Sequence, residues 1–407
     1  MYQPVPLAHQ TIPISPTVQA ELSRAEICTA SIEARARASG ASGALSRALA
    51  RTEALSSIRI EGLKPSVASL FFLEAFLDDT SNGEERLSAL DAFDFDNDEA
   101  RRGAVESIRY VRALEYIYEE IRPDVPITCH TLLNIHSIAE HGAEARLQGT
   151  RFRDVPVEPS QQAGDNYLPP PPEEVKPLME DLCVFINRNL YSPIAQAAIA
   201  HFQFEEIKPF KSGLDKTGRL MCHAILRHRG LVGNVVVPIG LAPAADTKSH
   251  AKSLLPYQAL PEQRGQMAAL NQWISFCAKA AEISSKTADV YLDALGKLRD
   301  TWQDALGKIS RGSTTDALLN ALAMSPALTA RHAAAMTGKS ISSVNEALHR
   351  LESVGIVSIV EHPQKAHVYT APLSFAILDS IDRLVSPNVP VSRDSFTTTG
   401  SEVNRPI

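Results

Sequence analysis

The chain has 407 residues, of which 44% are apolar, 21% charged and 6% aromatic, so it is long enough for two or three domains and too apolar for a globally disordered protein. Its 40 basic and 47 acidic residues give a net charge of −7, and any binding to nucleic acid must therefore depend on a local patch. The five cysteines are widely spaced and form no CxxC, which argues against a disulfide framework and a zinc site. Neither a secretory signal pattern nor an apolar run of membrane-spanning length is present, so we expect a cytoplasmic protein that does not contact membranes.

Most of the sequence up to residue 296 has the periodicity of amphipathic helices. A different pattern occurs at residues 147–157, which alternate like a short strand and precede four prolines at 169–172. This segment predicts a β-hairpin that projects between helices. The predicted helices cover 17–37, 43–58, 66–78, 85–96, 100–121, 128–139, 173–190, 194–206, 216–229 and most of 243–296.

The C-terminal part predicts a separate domain. Residues 297–313 read as the tail of a connecting helix followed by a linker, and residues 386–407 as a disordered tail. Between them, 314–373 predict a helix-turn-helix with a two-stranded wing, which is a winged-helix domain. Its predicted elements are helices 314–323, 328–336 and 340–353 and strands 356–361 and 366–370. The rest of the chain divides into an N-terminal helical region, 1–110, and a helical core, 111–296.

The segment most suited to chemistry is residues 208–219, Lys-Pro-Phe-Lys-Ser-Gly-Leu-Asp-Lys-Thr-Gly-Arg. A loop that contains glycine and opens a helix offers backbone N–H groups and a positive dipole end to a phosphate. Gly213 fits this role, but a simple turn that requires a positive φ would explain it equally well.

This loop and its surroundings resemble the Fic family, whose members transfer a nucleoside monophosphate, usually AMP from ATP, to a target hydroxyl. The family motif, H-P-F-x-D-G-N-G-R-x-x-R, corresponds to residues 208–219. Pro209, Phe210, Gly213 and Arg219 agree with it.

Two further segments carry the resemblance. Ser57-x-x-x-Glu61-Gly62 matches the family's inhibitory motif, whose Glu pairs with the last Arg of the loop. The stretch Arg151–Val157 matches the flap, which docks the target chain by strand addition in the family. The resemblance implies a mainly α fold with an all-helical Fic core, a β-hairpin flap and a C-terminal winged helix. It also implies ATP as the nucleotide, a phosphate site at Gly213, Lys216 and Arg219, inhibition by Glu61, and target contacts from Arg151, Phe152 and Val155.

Several motif positions depart from the family. Lys208 stands where the family has its general-base His, and an ordinary lysine is protonated at neutral pH. Ser212 replaces the metal-holding Asp, so we expect neither a metal site nor Mg²⁺ binding. Leu214 and Asp215 replace an Asn and a Gly, and the Asp215 carboxylate opposes a phosphate there. Lys216 keeps the charge of an Arg without its fork.

These changes leave the question of enzymatic activity open between two interpretations. The first is a catalytically impaired, nucleotide-binding or regulatory protein that acts with its winged helix. The second is an active Fic-type transferase with an altered donor or a mechanism centred on a deprotonated Lys208, inhibited by Glu61. A third, weaker one is a core that titrates an active relative. The pairing of Glu61 with Arg219 would fit either a retained inhibitory contact or a plain salt bridge.

The predicted winged helix suggests its own partners. Small polar residues at the start of its third predicted helix, 340–353, suit a DNA major groove. The segment 311–370 contains five basic and four acidic residues, a net charge of +1, so docking of protein, including a second copy of the chain, stays an alternative. The candidate DNA-contacting residues are Lys339, Ser342, Ser343, Asn345 and Arg350, with the wing at 362–365.

Overall fold

Helices dominate the described chain. The computed structural model describes residues 4–77, 97–142, 150–157, 169–247, 263–361 and 367–384. Up to residue 306 its helices are α1 (Pro16–Ser39), α2 (Ser42–Ile60), α3 (Val67–Leu77), α4 (Asp98–Glu120), α5 (Cys129–His141), α6 (Pro172–Ile186), α7 (Pro193–Ile207), α8 (Leu214–His228), α9 (Leu241–Ala245) and α10 (Gln263–Leu306). They are followed by α11 (Thr314–Met324), β1 (Ala327–Thr329), α12 (Ala330–Thr337), α13 (Ile341–Ser353), β2 (Ser358–Glu361), β3 (His367–Thr370) and α14 (Pro372–Leu384).

Helix α7 lies at the centre of the larger hydrophobic core and is buried along nearly its whole length. The buried amide of Gln196 donates from Nε2 to the carbonyls of Phe185 and Ile186, at 2.7 and 2.8 Å. The indole of Trp273 on α10 donates to the carbonyl of Ala198 at 2.8 Å. Because these polar groups are satisfied internally, α7 is a rigid support for the loop that follows it.

A buried ion pair joins α2 to α3. Arg51 donates to Glu74 from Nε at 3.0 Å and from a terminal nitrogen at 2.6 Å, and both side chains are inaccessible to solvent. Burial opposes ionisation of Glu74, but the charges of Arg51 and Arg47 outweigh it and lower the pKa of Glu74 to about 2. The pair therefore fixes the inhibitory-motif helix α2 against its neighbour.

The C-terminal elements form a second core around an antiparallel sheet of order β1-β3-β2. Tyr369 of β3 lies opposite Leu328 of β1 and Ile359 of β2. The last turns of α10 supply Leu298 and Trp302 to this core.

Helix α14 returns to the first core, where the Phe375 ring packs on Phe71 and Phe72 at 6.1 Å.

The expected element types are confirmed for most of the described chain. The tail of a connecting helix that the sequence predicts from residue 297 extends to Leu306, because α10 still has a core to pack against there. Strand β1 and helix α14 have no counterpart in the predicted elements. The predicted helix 85–96, the tail 386–407 and the wing tip 362–365 lie outside the described residues.

The predicted β-hairpin is wrong for the residues of it that are described. Residues 150–157 contain no strand; Arg153 N–H donates to the Pro209 carbonyl at 2.9 Å, and the Arg153 side chain is buried against the loop. Within residues 150–157 the segment is therefore hydrogen-bonded to the loop after α7. Among the described helices we find none with the length and apolar character needed to cross a bilayer.

Candidate functional site

The candidate site is the loop between α7 and α8. Helix α7 ends at Lys208, whose backbone adopts the left-handed region (φ 47°), and Pro209 prevents its continuation. Phe210 then turns into the core and stacks on His136 with ring centroids 3.5 Å apart and an angle of 5° between the planes. Gly213, also left-handed (φ 61°), is the N-cap of α8. The positive end of α8 therefore faces the loop, as the sequence predicts.

A carboxylate of the chain itself lies at this helix N-terminus. Glu140, from the last turn of α5, accepts a hydrogen bond from Ser212 Oγ at 2.7 Å and forms an ion pair with Lys216 Nζ. A Cβ added to Gly213 would overlap Glu140 Oε1. The carboxylate thus lies against the N-terminus of α8.

The charges around Glu140 are balanced within the protein. Lys216 Nζ also contacts Glu106 of α4 at 2.6 Å. Burial opposes ionisation of both partners, but the hydrogen bonds from Lys216 and Ser212 lower the pKa of Glu140, and those to Glu106 and Glu140 raise the pKa of Lys216. The predicted phosphate-binding lysine is therefore already held between two carboxylates.

The last arginine of the loop segment is held by the N-terminal region. Arg219 Nε donates to Ser57 Oγ at 2.7 Å, and a terminal nitrogen donates to Glu61 Oε1 at 2.8 Å. The guanidinium is buried, whereas Glu61 is partly exposed. Ser57 and Glu61 both come from the end of α2, so this one segment supplies these hydrogen-bond partners of Arg219.

His136 supports the loop from α5. Its Nδ1 lies 2.9 Å from Thr217 Oγ1, and that hydroxyl donates to the Gly213 carbonyl at 2.7 Å. Because the single hydroxyl proton is used there, His136 Nδ1 must be the donor to Thr217. Burial lowers the pKa of His136 to about 4, which keeps the ring neutral at physiological pH.

Lys208 and Ser212 stand at the family's general-base and metal-ligand positions, and each forms a hydrogen bond within the protein. Lys208 accepts a hydrogen bond from Arg153 Nε at its carbonyl, at 2.7 Å, and its side chain is half-buried. The Ser212 hydroxyl is turned toward Glu140. We find no group of three or more potential metal ligands within the described part of the chain, and the neutral Ser212 and the lysine-bound Glu140 do not suit Mg²⁺.

Asp215 does not fill the loop. Its side chain is exposed and shares a hydrogen bond with Glu205, a carboxyl whose pKa is raised well above its usual range by burial and by the Asp215 charge. The carboxylate beside Gly213 comes from Glu140 instead.

The predicted flap residues lie next to the loop. Arg151 pairs with Asp154 at 2.8 Å, Phe152 packs on Phe210 with ring centroids 5.7 Å apart, and Val155 is 41% exposed. Arg153 is the anchor of the segment, and sequence reasoning missed it. Its guanidinium donates to four backbone carbonyls, those of Lys208, Val155, Pro170 and Ile207.

The predicted DNA-contacting residues lie on or beside α13. Ser342 is exposed, and Ser343 and Asn345 are partly exposed in the first turns of the helix. The two cations point back to the chain: Lys339 donates to the Gly312 carbonyl and Arg350 to the Leu306 carbonyl, both at 3.1 Å.

Glu140, Glu106 and His136 also escaped sequence reasoning. Each is an ordinary helical position, and Glu140 reaches the loop from 72 residues away. The available signal was weak: Glu140 stands one turn after His136, on the same side of α5.

Parts of the chain are similar in sequence to a known family and to two curated proteins. Residues 126–226 match the family described as the Fic/DOC family. The chain is 26% identical over 175 residues to "Protein adenylyltransferase Fic" of Aedes aegypti, covering 42% of this chain and 30% of that protein. It is 28% identical over 131 residues to the protein of the same name from Nematostella vectensis, covering 31% of this chain and 28% of that protein. The chain thus spans less than a third of the length of these curated relatives.

Among solved structures, a Fic family protein from Desulfovibrio desulfuricans is 18% identical, with a TM-score of 0.46, and the match covers 91% of this chain and 98% of that one. A Fic domain containing signaling protein from Bacteroides thetaiotaomicron is 17% identical, with a TM-score of 0.38, over 59% of this chain and 96% of that one.

Proposed function

The chain carries a Fic/DOC family domain, and we propose that it is a regulatory member in which adenylyl transfer is impaired and the phosphate site is held by the protein's own carboxylates. The observation that carries this proposal is the position of Glu140. Its carboxylate contacts Ser212 and Lys216 and lies against Gly213, so a phosphate at the same place would meet a like charge.

The chemistry of the loop supports impairment. Transfer to a hydroxyl needs a base that takes its proton, and the geometry gives Lys208 a structural role through its left-handed backbone and its carbonyl. Loss of a general base typically slows such reactions by about 10²–10⁴-fold. The curated relatives are named adenylyltransferases, so ATP is the nucleotide with which to test this chain.

The pairing of Glu61 with Arg219 favours a second candidate function. An arginine held by an inhibitory-type glutamate is what an active but restrained transferase would contain, with an altered donor or mechanism. In that case the removal of Glu61 alone would release activity. In the first proposal it would not, because Glu140 still occupies the loop.

Transfer of label from α-labelled ATP to the protein itself and to lysate proteins separates these two functions. We expect no transfer by the wild-type protein or by Glu61→Gly. Binding of ATP or pyrophosphate, measured by calorimetry, should appear in Glu61→Gly/Glu140→Gln. The matched control is Glu61→Gly/Glu106→Gln, since Glu106 also contacts Lys216 but does not lie against Gly213. Label in Glu61→Gly would overturn impairment, and equal binding by the control would overturn the role of Glu140.

The C-terminal elements are the proposed effector module. Their order from α11 to β3 supports a winged helix, with exposed Ser342 at the start of the helix that would enter a DNA major groove. Lys339 and Arg350 donate to backbone carbonyls, so each side chain must break that hydrogen bond before it can contact a DNA phosphate. Selection of bound sequences from a random duplex pool should yield a motif that Asn345→Ala weakens. Failure to enrich any sequence would contradict specific DNA binding and favour a protein partner for these elements.

A further inference from the structure

Two cysteines that lie 54 positions apart in sequence meet on the surface of the core. Cys129 is the first residue of α5, and Cys183 lies in the last turn of α6; their sulfur atoms are 3.7 Å apart. A disulfide bond is about 2 Å long, so rotation of the two side chains with a small shift of the helices would close the gap. The pair lies away from the loop, and neither the proposed regulatory role nor transfer chemistry uses it.

The surroundings give the two thiols different roles. Cys129 is partly exposed and lines an open surface cavity of about 540 Å³ together with Cys183, which is 8% exposed. Cys129 also begins a helix that is capped by Thr128, where the helix dipole favours a thiolate. The hydrogen bond from Cys183 lowers the pKa of Cys129, and the same bond together with burial raises the pKa of Cys183. Cys129 is therefore the thiol that a soluble oxidant reaches, and Cys183 is the more buried thiol of the pair.

We propose that Cys129 and Cys183 form a reversible intramolecular disulfide when the protein meets a peroxide. The Cys129 thiolate attacks one peroxide oxygen, the O–O bond breaks, and Cys129 becomes a sulfenic acid while the other oxygen leaves as water or an alcohol after protonation. The Cys183 sulfur then attacks the Cys129 sulfur, the S–O bond breaks, and the departing hydroxide takes the Cys183 proton to form water. Two thiols are oxidised by two electrons, and the peroxide is reduced.

The disulfide would tie α5 to α6. Helix α5 carries His136 and Glu140 to the loop, so the cross-link fixes the start of the helix that positions both side chains. It also closes a long chain segment, which restricts the unfolded state and raises the melting temperature. We expect the oxidised protein to melt several degrees above the reduced protein.

The test is titration of the full chain with hydrogen peroxide, followed by denaturation, counting of free thiols and peptide mapping. Two of the five thiols should disappear together, a peptide joined through Cys129 and Cys183 should appear, and dithiothreitol should restore both thiols and the lower melting temperature. In Cys183→Ser, dimedone should trap a sulfenic acid at Cys129. The matched control is Cys28→Ser, which removes another partly exposed thiol and should leave the cross-link unchanged.

Mapping of the wild-type protein decides the proposal even where a variant fails to fold. A folded, oxidised protein in which Cys129 and Cys183 both remain alkylatable would overturn it. So would oxidation at Cys28 before any loss of Cys129, or a cross-link that appears only between molecules.

Discussion

Glu140 and Gly213 are in such close contact that the glycine's missing Cβ leaves the space in which the Glu140 carboxylate lies. Two demands therefore meet at Gly213: a left-handed backbone with φ 61°, and room for a carboxylate from α5. Either demand alone explains a glycine, and together they tie the start of α8 to the end of α5.

Gly213→Ala is expected to destabilise the protein through both demands. The left-handed conformation costs about 1–2 kcal/mol for alanine, and the overlap with Glu140 adds to it. In Glu140→Ala/Gly213→Ala the overlap is gone, so the double variant should be more stable than the sum of the two single changes predicts. Urea unfolding of the four proteins in a double-mutant cycle measures this. Strict additivity would mean that Glu140 does not lie against Gly213.

Glu74→Gln is expected to be among the most destabilising single changes. It removes the fully buried carboxylate partner of Arg51, and loss of one partner of a buried pair costs about 3–5 kcal/mol. The control is Glu115→Gln, which removes the more exposed partner of the same arginine, at 3.1 Å, and should cost about 1 kcal/mol or less. Denaturant midpoints with unchanged slopes would report the two losses, and equal losses would contradict the difference in burial.

The stability of the protein should fall with acidification below neutral pH because of His136. Burial lowers the pKa of this histidine to about 4, below its unfolded value near 6.5, so the unfolded chain binds the proton more readily between these values. The contribution is fully present above about pH 6.5 and is lost as the pH falls toward 4, with an upper limit of about 3 kcal/mol.

His136→Phe keeps the stacking on Phe210 and removes the titration, so the slope of unfolding free energy between pH 6.5 and 4 should flatten. Thr217→Val is the control: it removes the hydroxyl that His136 contacts and lowers stability, but it should leave most of the slope in place. A slope that is unchanged in His136→Phe would assign the pH dependence to other groups.

The sequence was most informative where a local rule acts. Apolar periodicity predicts the helices. Gly213 marks the start of α8 because a residue without a Cβ adopts a left-handed N-cap conformation most readily. The Glu61–Arg219 contact spans 158 residues and was foreseen only through the resemblance to a family. The continuation of α10 beyond residue 296 was predicted as the tail of a connecting helix, and Leu298, Trp302 and Leu306 continue its apolar face.

The residues that escaped prediction act across long sequence separations. Glu140 is one acidic residue at the end of an amphipathic helix, where a solvent-exposed position is the usual expectation. Arg153 sits in a loop whose alternation suggested a strand, yet its guanidinium binds carbonyls of the loop after α7. In both cases the partner is fixed by packing that no periodic pattern encodes.

Restoring the family's motif is the strongest test of the proposed impairment of transfer. In a Glu61→Gly background, the changes Lys208→His, Ser212→Asp, Leu214→Asn and Asp215→Gly return the base, an acidic metal ligand and a loop without the Asp215 charge. Ser212→Asp removes the hydroxyl that holds Glu140 and places a like charge beside it, so Glu140 should leave the loop. We therefore expect labelled AMP to appear on the restored protein when ATP and Mg²⁺ are supplied, at a rate at least about 10²-fold above background. The same protein with Lys208 retained is the matched control, and it should lose most of that rate because the base is missing. Equal labelling of both would show that Lys208 itself serves the reaction, and no labelling of either would mean that Glu140, which both still contain, is enough to keep the loop closed.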